Sequence, residues 1–142
     1  MGTKLGRILV IIPMYLMVCL IVMVLIYGVI IRIRAVKTKQ VHGAYFREFE
    51  ARDKIPSHIV KNTNNMSNLF ELPILFFVVC TLFVLRGYDE FDAMLAYAFV
   101  FSRYVHSFIH MTYNNVIHRL CAFATGVAIL LVMWTSLLLE VL

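Results

Sequence analysis

The sequence predicts an all-α membrane protein, an antiparallel bundle of four transmembrane helices forming one membrane domain over residues 1–142. Two observations predict this fold class. Hydrophobic residues make up 62% of the chain and charged residues only 15%, against about 45–50% and about 25% in soluble proteins. The hydrophobic residues also lie in long uncharged runs, which is typical of membrane spans. This composition excludes a disordered tail, a nucleic-acid-binding module and a disulfide-stapled secreted domain.

The first and last helices are predicted directly from their uncharged runs. Residues 8–31 are 24 residues without a charge, a length of about 36 Å as a helix, and the hydrocarbon core is about 30 Å thick. Pro13 lies near the start of this run, where the loss of a backbone donor costs least. Residues 120–139 form another uncharged run, so we expect the fourth helix at about residues 119–140.

The two middle helices are predicted to carry polar residues into the membrane, because neither uncharged run spans it alone. Residues 72–85 reach only about 21 Å, so a second helix at about residues 59–85 includes Asn68 and Glu71. Residues 93–102 are shorter still, so a third helix at about residues 92–112 includes Arg103, His106 and His110. Two of the four spans therefore contain ionisable groups.

The distribution of Lys and Arg predicts the orientation. The formal net charge is +5, and most of the basic residues fall in the loop at residues 32–58. By the positive-inside rule this loop is cytoplasmic and both termini lie outside. Within it, Glu48 and Arg52 are spaced for an i,i+4 pair, which predicts a short helix near residues 45–52. Ser57 is the predicted N-cap of the second helix.

The polar residues of the middle helices share one depth. If the cytoplasmic boundary of the membrane lies at about Met66 on the second helix, Asn68 and Glu71 are about 3 and about 7 Å inside it. With the boundary at about Thr112 on the third helix, His110, His106 and Arg103 are about 3, 9 and 13 Å inside it. Each set also shares a helical stripe: Asn64, Asn68 and Glu71 on the second helix, and Arg103, His106, His110 and Tyr113 on the third. A charge in hydrocarbon costs at least about 2.5 kcal/mol. We therefore expect these groups to face the bundle, with Glu71 paired to Arg103.

Two interpretations of this cluster stay open at this point. In one, the Glu71–Arg103 pair and the Asn and His side chains only hold the helices together. In the other, the cluster surrounds a cavity for a zwitterionic or polyanionic ligand, which also gives Arg119, at the start of the fourth helix, a role. A metal site at His106 and His110 is a weaker alternative, because membrane di-iron sites need many more histidines than five, so no metal is predicted.

The three cysteines do not predict a disulfide or a redox pair. Cys19, Cys80 and Cys121 are an odd number with no C-x-x-C spacing. Buried apolar cysteine is the expected state. Cys121, two residues after Arg119, is the alternative nucleophile.

Motifs in the helices resemble those of the MAPEG family, the membrane-associated proteins of eicosanoid and glutathione metabolism. Residues 68–73, Asn-Leu-Phe-Glu-Leu-Pro, resemble its helix-2 signature, Arg-x-x-x-Asn-x-x-Glu followed by Pro. Arg103-x-x-His106 resembles the helix-3 motif of the prostaglandin E synthase branch. Arg119, sixteen residues after Arg103, matches the basic residue that faces the glutathione sulfur there. Arg32 matches another glutathione-contacting arginine.

This resemblance implies a homotrimer of four-helix protomers, with the co-substrate glutathione bound between subunits at the cytoplasmic side. Arg32, Asn68, Glu71 and His106 would hold the tripeptide, and Arg119 would act as the catalytic residue by stabilising the thiolate. Three residues on the polar stripe of the third helix are further candidates for ligand binding: Arg103, His110 and Tyr113. The second substrate would be a lipophilic electrophile dissolved in the bilayer.

Three departures from the family pattern accompany the resemblance. Asn64 stands where the signature has its leading Arg, His110 where a Tyr is found, and Leu120 where the prostaglandin branch has a Ser; Tyr113, one turn on, is a substitute for the missing Tyr. The compact chain is most similar to bacterial members, which implies a multi-pass protein of a bacterial inner membrane. The predicted function is a glutathione-dependent transferase or peroxidase. The alternative is a non-enzymatic accessory or lipid-binding bundle.

Overall fold

A computed structural model describes residues 4–41, 55–87 and 89–141 of the chain. These ranges contain four α-helices and no strand: α1 (Lys4–Lys37), α2 (Ser57–Arg86), α3 (Glu90–Met111) and α4 (Val116–Val141). The predicted all-α four-helix class is confirmed. The short helix predicted at residues 45–52 lies outside the described residues.

The helices extend beyond the uncharged runs from which they were predicted. α1 continues to Lys37, six residues past the predicted end at residue 31, because helix formation does not require apolar side chains. The basic residues of its last turn, Arg34 and Lys37, suit the negative end of the helix dipole. The predicted N-cap of α2 is wrong. Pro56 occupies the N-cap position and Ser57 is the first helical residue, with no side-chain cap bond.

Three of the helices in the described ranges are apolar and long enough to span a membrane: Leu9–Lys37, Ser57–Arg86 and Val116–Glu140. α3 has 22 residues, a length of about 33 Å, but Arg103, His106 and His110 make it less apolar. α3 therefore carries charged and titratable residues, as the sequence predicted from the short uncharged run at residues 93–102.

α2 and α3 form the centre of the bundle. α1 packs against both of them and α4 packs against α3 and α2, while α1 and α4 do not contact each other within the described residues. The core is built from fully buried side chains, and the rings of Phe76 on α2 and Phe99 on α3 stack with 4.6 Å between centroids. Tyr104 on α3 donates a hydrogen bond to the Leu16 carbonyl oxygen of α1 at 2.9 Å.

The predicted outer end of the bundle is held by one arginine. Arg86, at the end of α2, donates from Nη2 to both carboxylate oxygens of Asp92 at 3.1 and 2.9 Å, and its Nη1 pairs with Glu140 on α4. Asp89 and Asp92 form a reciprocal capping box at the start of α3. Three helix ends are thereby joined on this side, and the turn between α2 and α3 places them as antiparallel neighbours.

Candidate functional site

A cavity of about 260 Å³ lies where α2, α3 and α4 meet. Each helix contributes one polar side chain: Asn68 from α2, His106 from α3 and Arg119 from α4. The remaining wall is apolar and consists of Val116, Leu120 and Phe123. The cavity lies near the ends of the helices that are predicted to face the cytoplasm. It combines one cation, one amide and one imidazole with a hydrophobic surface.

His106 is held in one orientation by the backbone of α4. Its Nδ1 lies 3.2 Å from the carbonyl oxygen of Arg119. A carbonyl oxygen can only accept, so Nδ1 carries the proton and, in the neutral ring, Nε2 is an acceptor. His106 is buried, and its Nε2 has no hydrogen-bond partner among the described residues. His106 thus lines the cavity with a ring whose Nε2 is a buried acceptor with no partner among the described residues.

The guanidinium of Arg119 is fixed at the edge of the cavity by two side chains. Its Nη1 donates to Asn114 Oδ1 at 3.0 Å and lies 3.4 Å from His110 Nε2. Because a guanidinium has no acceptor, His110 Nε2 must be the acceptor of the second contact. Both contacts use the same nitrogen, and neither Asn114 nor His110 lines the cavity.

The turn between α3 and α4 places Arg119 in this position. Asn114 adopts a left-handed backbone conformation with φ of 50°, a region that Asn tolerates better than most residues. Its backbone N–H donates to the Ile109 carbonyl oxygen at 2.8 Å. Asn115 Oδ1 accepts from the N–H groups of Ile117 and His118 and so caps the start of α4. Arg119 follows in the first turn of that helix.

Arg103 does not line the cavity and does not pair with Glu71. Its Nη2 donates to the carbonyl oxygens of Ala122 and Phe123 at 3.1 and 3.2 Å, whereas Glu71 is exposed on the surface of the protomer. The predicted ion pair is wrong. The periodicity located both residues at similar depth, but the Arg103 side chain packs on α4 and Glu71 lies on the outward side of α2.

The other predicted site residues lie apart from the cavity of this protomer. Arg32 donates from Nη1 to Asn62 Oδ1 at 3.3 Å and from Nη2 to Thr63 Oγ1 at 2.9 Å. Tyr113 is exposed, and its hydroxyl lies 3.2 Å from His118 Nδ1. The structure therefore brings together three of the eight predicted site residues, Asn68, His106 and Arg119, and adds His110 through its contact with Arg119.

Sequence reasoning missed a second polar stripe on α2. Asn62 and Asn65 are both buried. Asn62 Nδ2 donates to the Val24 carbonyl oxygen of α1 at 3.1 Å, and Asn65 Oδ1 accepts from the Ser107 hydroxyl of α3 at 3.2 Å. The sequence does contain a signal for this stripe. Asn62 and Asn65 are three residues apart, and Leu69, a core residue, follows four residues later on the same face of the helix. Asn114 was also missed, because Asn is common in turns for backbone reasons alone.

The described residues contain no group of three His, Cys, Asp or Glu side chains placed to hold a metal ion. All three cysteines are free: Cys80 is buried in the core, Cys19 is half-buried and Cys121 is exposed. Cys121 is not among the residues that line the cavity. A larger hollow of about 470 Å³ lies at the opposite end, beside Glu140, and is mostly apolar. The chemically varied groups are thus concentrated in the smaller cavity.

These features define a multi-helix membrane protein with a polar site between three of its helices. The model of the MAPEG family matches residues 12–139, nearly the whole chain, and the chain belongs to this family. Members of the family are glutathione-related transferases or peroxidases. Comparison with curated proteins and with solved structures gives no match.

Proposed function

We propose that this chain is a glutathione-dependent transferase or peroxidase of a bacterial inner membrane, acting on lipophilic electrophiles. The supporting observation is the cavity at which Asn68, His106 and Arg119 meet an apolar wall. A polar co-substrate and a lipid-soluble substrate need these two kinds of surface side by side. Family membership supports glutathione as the co-substrate.

Arg119 is the proposed catalytic residue. A free thiol has a pKa of about 8.5, and the thiolate is the nucleophile. A guanidinium beside the sulfur stabilises the thiolate, and arginine keeps its charge in a partly buried site. In conjugation, the thiolate sulfur forms a bond to the electrophilic carbon while the leaving group departs with its electron pair. Asn68 and His106, which line the cavity, are proposed to contact the polar groups of the tripeptide.

One protomer supplies only part of the proposed site. The cavity of about 260 Å³ is below the range of about 300–1,000 Å³ for ligand sites. Glu71, on the polar stripe of α2, is also exposed on the protomer surface, at a depth where a charge in contact with hydrocarbon would cost at least about 2.5 kcal/mol. A homotrimer would cover this stripe with a neighbouring subunit. Arg32 and Glu71 are proposed to join the site across that interface.

The proposal is tested by titrating the purified protein with glutathione while measuring heat and the ultraviolet absorption of the thiolate. We expect binding and a thiolate band. Arg119→Ala should lower turnover by about 100-fold, as removal of one charge-stabilising donor does in other enzymes, and should weaken the band with only a modest loss of binding.

Arg34→Ala is the matched control, because Arg34 is an exposed arginine at the end of α1 and does not line the cavity. Conjugation by Arg119→Ala at the wild-type rate would refute the role of Arg119. Absence of both heat and thiolate band in the wild-type protein would favour a non-enzymatic accessory or lipid-binding subunit.

A further inference from the structure

Among the described residues, the Arg119 guanidinium is bound through only one of its terminal nitrogens. Nη1 donates to Asn114 Oδ1 at 3.0 Å and contacts His110 Nε2 at 3.4 Å. Arg119 itself lines the cavity, whereas Asn114 and His110 do not. Neither acceptor belongs to the cavity wall, and the other N–H groups of Arg119 have no hydrogen-bond acceptor among the described residues.

We propose that Asn114 and His110 are positioning residues that hold Arg119 towards the cavity, an inference that rests on the proposed role of Arg119. An arginine side chain has several rotatable bonds and loses rotamer freedom when it is held. Two acceptors on one nitrogen supply that restraint before a ligand arrives, so less of the binding energy is spent on ordering the cation.

The local backbone supports a dedicated role for Asn114. Its positive φ of 50° is a conformation that glycine adopts at no steric cost. Asn is the alternative residue that adds a hydrogen-bonding side chain in this conformation. That amide oxygen reaches the cation five residues further along the chain. The turn therefore has a polar side chain at a position where glycine would adopt the backbone conformation with less strain.

His110 completes the restraint from α3. It is buried, and its Nε2 must accept because Nη1 of Arg119 can only donate. The charged and titratable groups around it are Arg119 of α4, Lys61 of α2, whose Nζ donates to the Thr112 carbonyl oxygen, and His106 of α3, whose ring centroid is 5.8 Å away. Because the Arg119 guanidinium can only donate, this contact requires the neutral imidazole, with its proton on Nδ1.

The first test replaces Asn114 by Gly, which keeps the backbone conformation and removes the acceptor. We expect the glutathione thiolate to form less readily and turnover to fall about tenfold, the size of one hydrogen bond to a charged group. Lys39→Gly is the matched control, because Lys39 also has a positive φ, of 57°, in the turn after α1. His110→Leu should act like Asn114→Gly, and His110→Gln, which keeps an acceptor, should retain most of the activity.

A double-mutant cycle separates positioning from a general structural effect. In an Arg119→Ala background, Asn114→Gly should have no further effect on turnover or on the thiolate band, because its action passes through Arg119. An undiminished tenfold loss in that background would overturn the proposal.

A second readout does not depend on glutathione chemistry. The rate at which phenylglyoxal modifies Arg119, followed by mass spectrometry, should rise several-fold in Asn114→Gly and stay unchanged in Lys39→Gly. Equal rates in the wild type and Asn114→Gly would refute the restraint itself. Faster modification without any thiolate band in the wild type would support the restraint and refute the proposed function.

Discussion

Arg103 is a buried cation whose partners are backbone carbonyl oxygens and aromatic rings. Besides its bonds to Ala122 and Phe123, its guanidinium carbon lies 5.6 Å from the ring centroid of Phe99 and 5.2 Å from that of Phe123. Cation–π contacts are strengthened by desolvation. Close approach to α4 is possible because residue 126 is glycine. A single missing side chain thus makes room for the cation inside the bundle.

Gly126→Ala should destabilise the protein. A Cβ atom at this position would lie 2.4 Å from Arg103 Nη2 and 2.8 Å from Ser102 Oγ, so the Arg103 side chain must move away from the α4 carbonyls. We expect a loss of about 1–3 kcal/mol, the usual cost of overpacking, measured by thermal unfolding in detergent.

The control for this prediction is the double variant Gly126→Ala/Arg103→Met. Since the methyl group then meets no guanidinium, its destabilisation should be smaller in the Met background than in the wild type. Equal effects in the two backgrounds would show that the glycine serves something other than Arg103.

At the scale of the helices, α2 carries two polar stripes that the sequence does not distinguish. Asn62 and Asn65 face the core, whereas Asn64 and Glu71 are exposed. Periodicity states which residues share a face, but not which neighbour covers that face. The sequence therefore predicts the depth of the polar residues and their location on α2 and α3. It does not reveal that Glu71 and Arg103 fail to pair. The partner of Arg103 depended on the approach of α4 at Gly126.

Asn62→Ala should lower stability more than Asn64→Ala. Asn62 joins α1 to α2 through the Val24 carbonyl oxygen and accepts from Arg32. Its loss removes the bond between α1 and α2 and one acceptor of the Arg32 guanidinium, at a cost of about 1–3 kcal/mol. Asn64 differs by two positions and is exposed, which makes it the matched control in the same thermal-unfolding measurement. Equal melting temperatures for the two variants would contradict the role of Asn62.

For the whole molecule, the positive-inside rule predicts an orientation that places the cavity near the cytoplasm. In intact cells, a membrane-impermeant maleimide should label Glu90→Cys, at the exposed start of α3, and should fail to label Lys39→Cys, in the turn after α1. Both variants are made in a background without Cys19, Cys80 and Cys121. Permeabilised cells, in which both sites should react, are the control. The reverse pattern in intact cells would invert the proposed topology.

The exposure of α4 has a consequence for how a rate would be measured. Ile117 and Leu120 are exposed by 69% and 62%, and Leu120 also forms the apolar wall of the cavity. An electrophile arriving from this side is first partitioned into the bilayer, and its effective concentration is its mole fraction among the lipids. At a fixed total amount, adding vesicles or micelles would then dilute it and slow turnover. Kinetic constants for such a substrate belong in units of surface concentration.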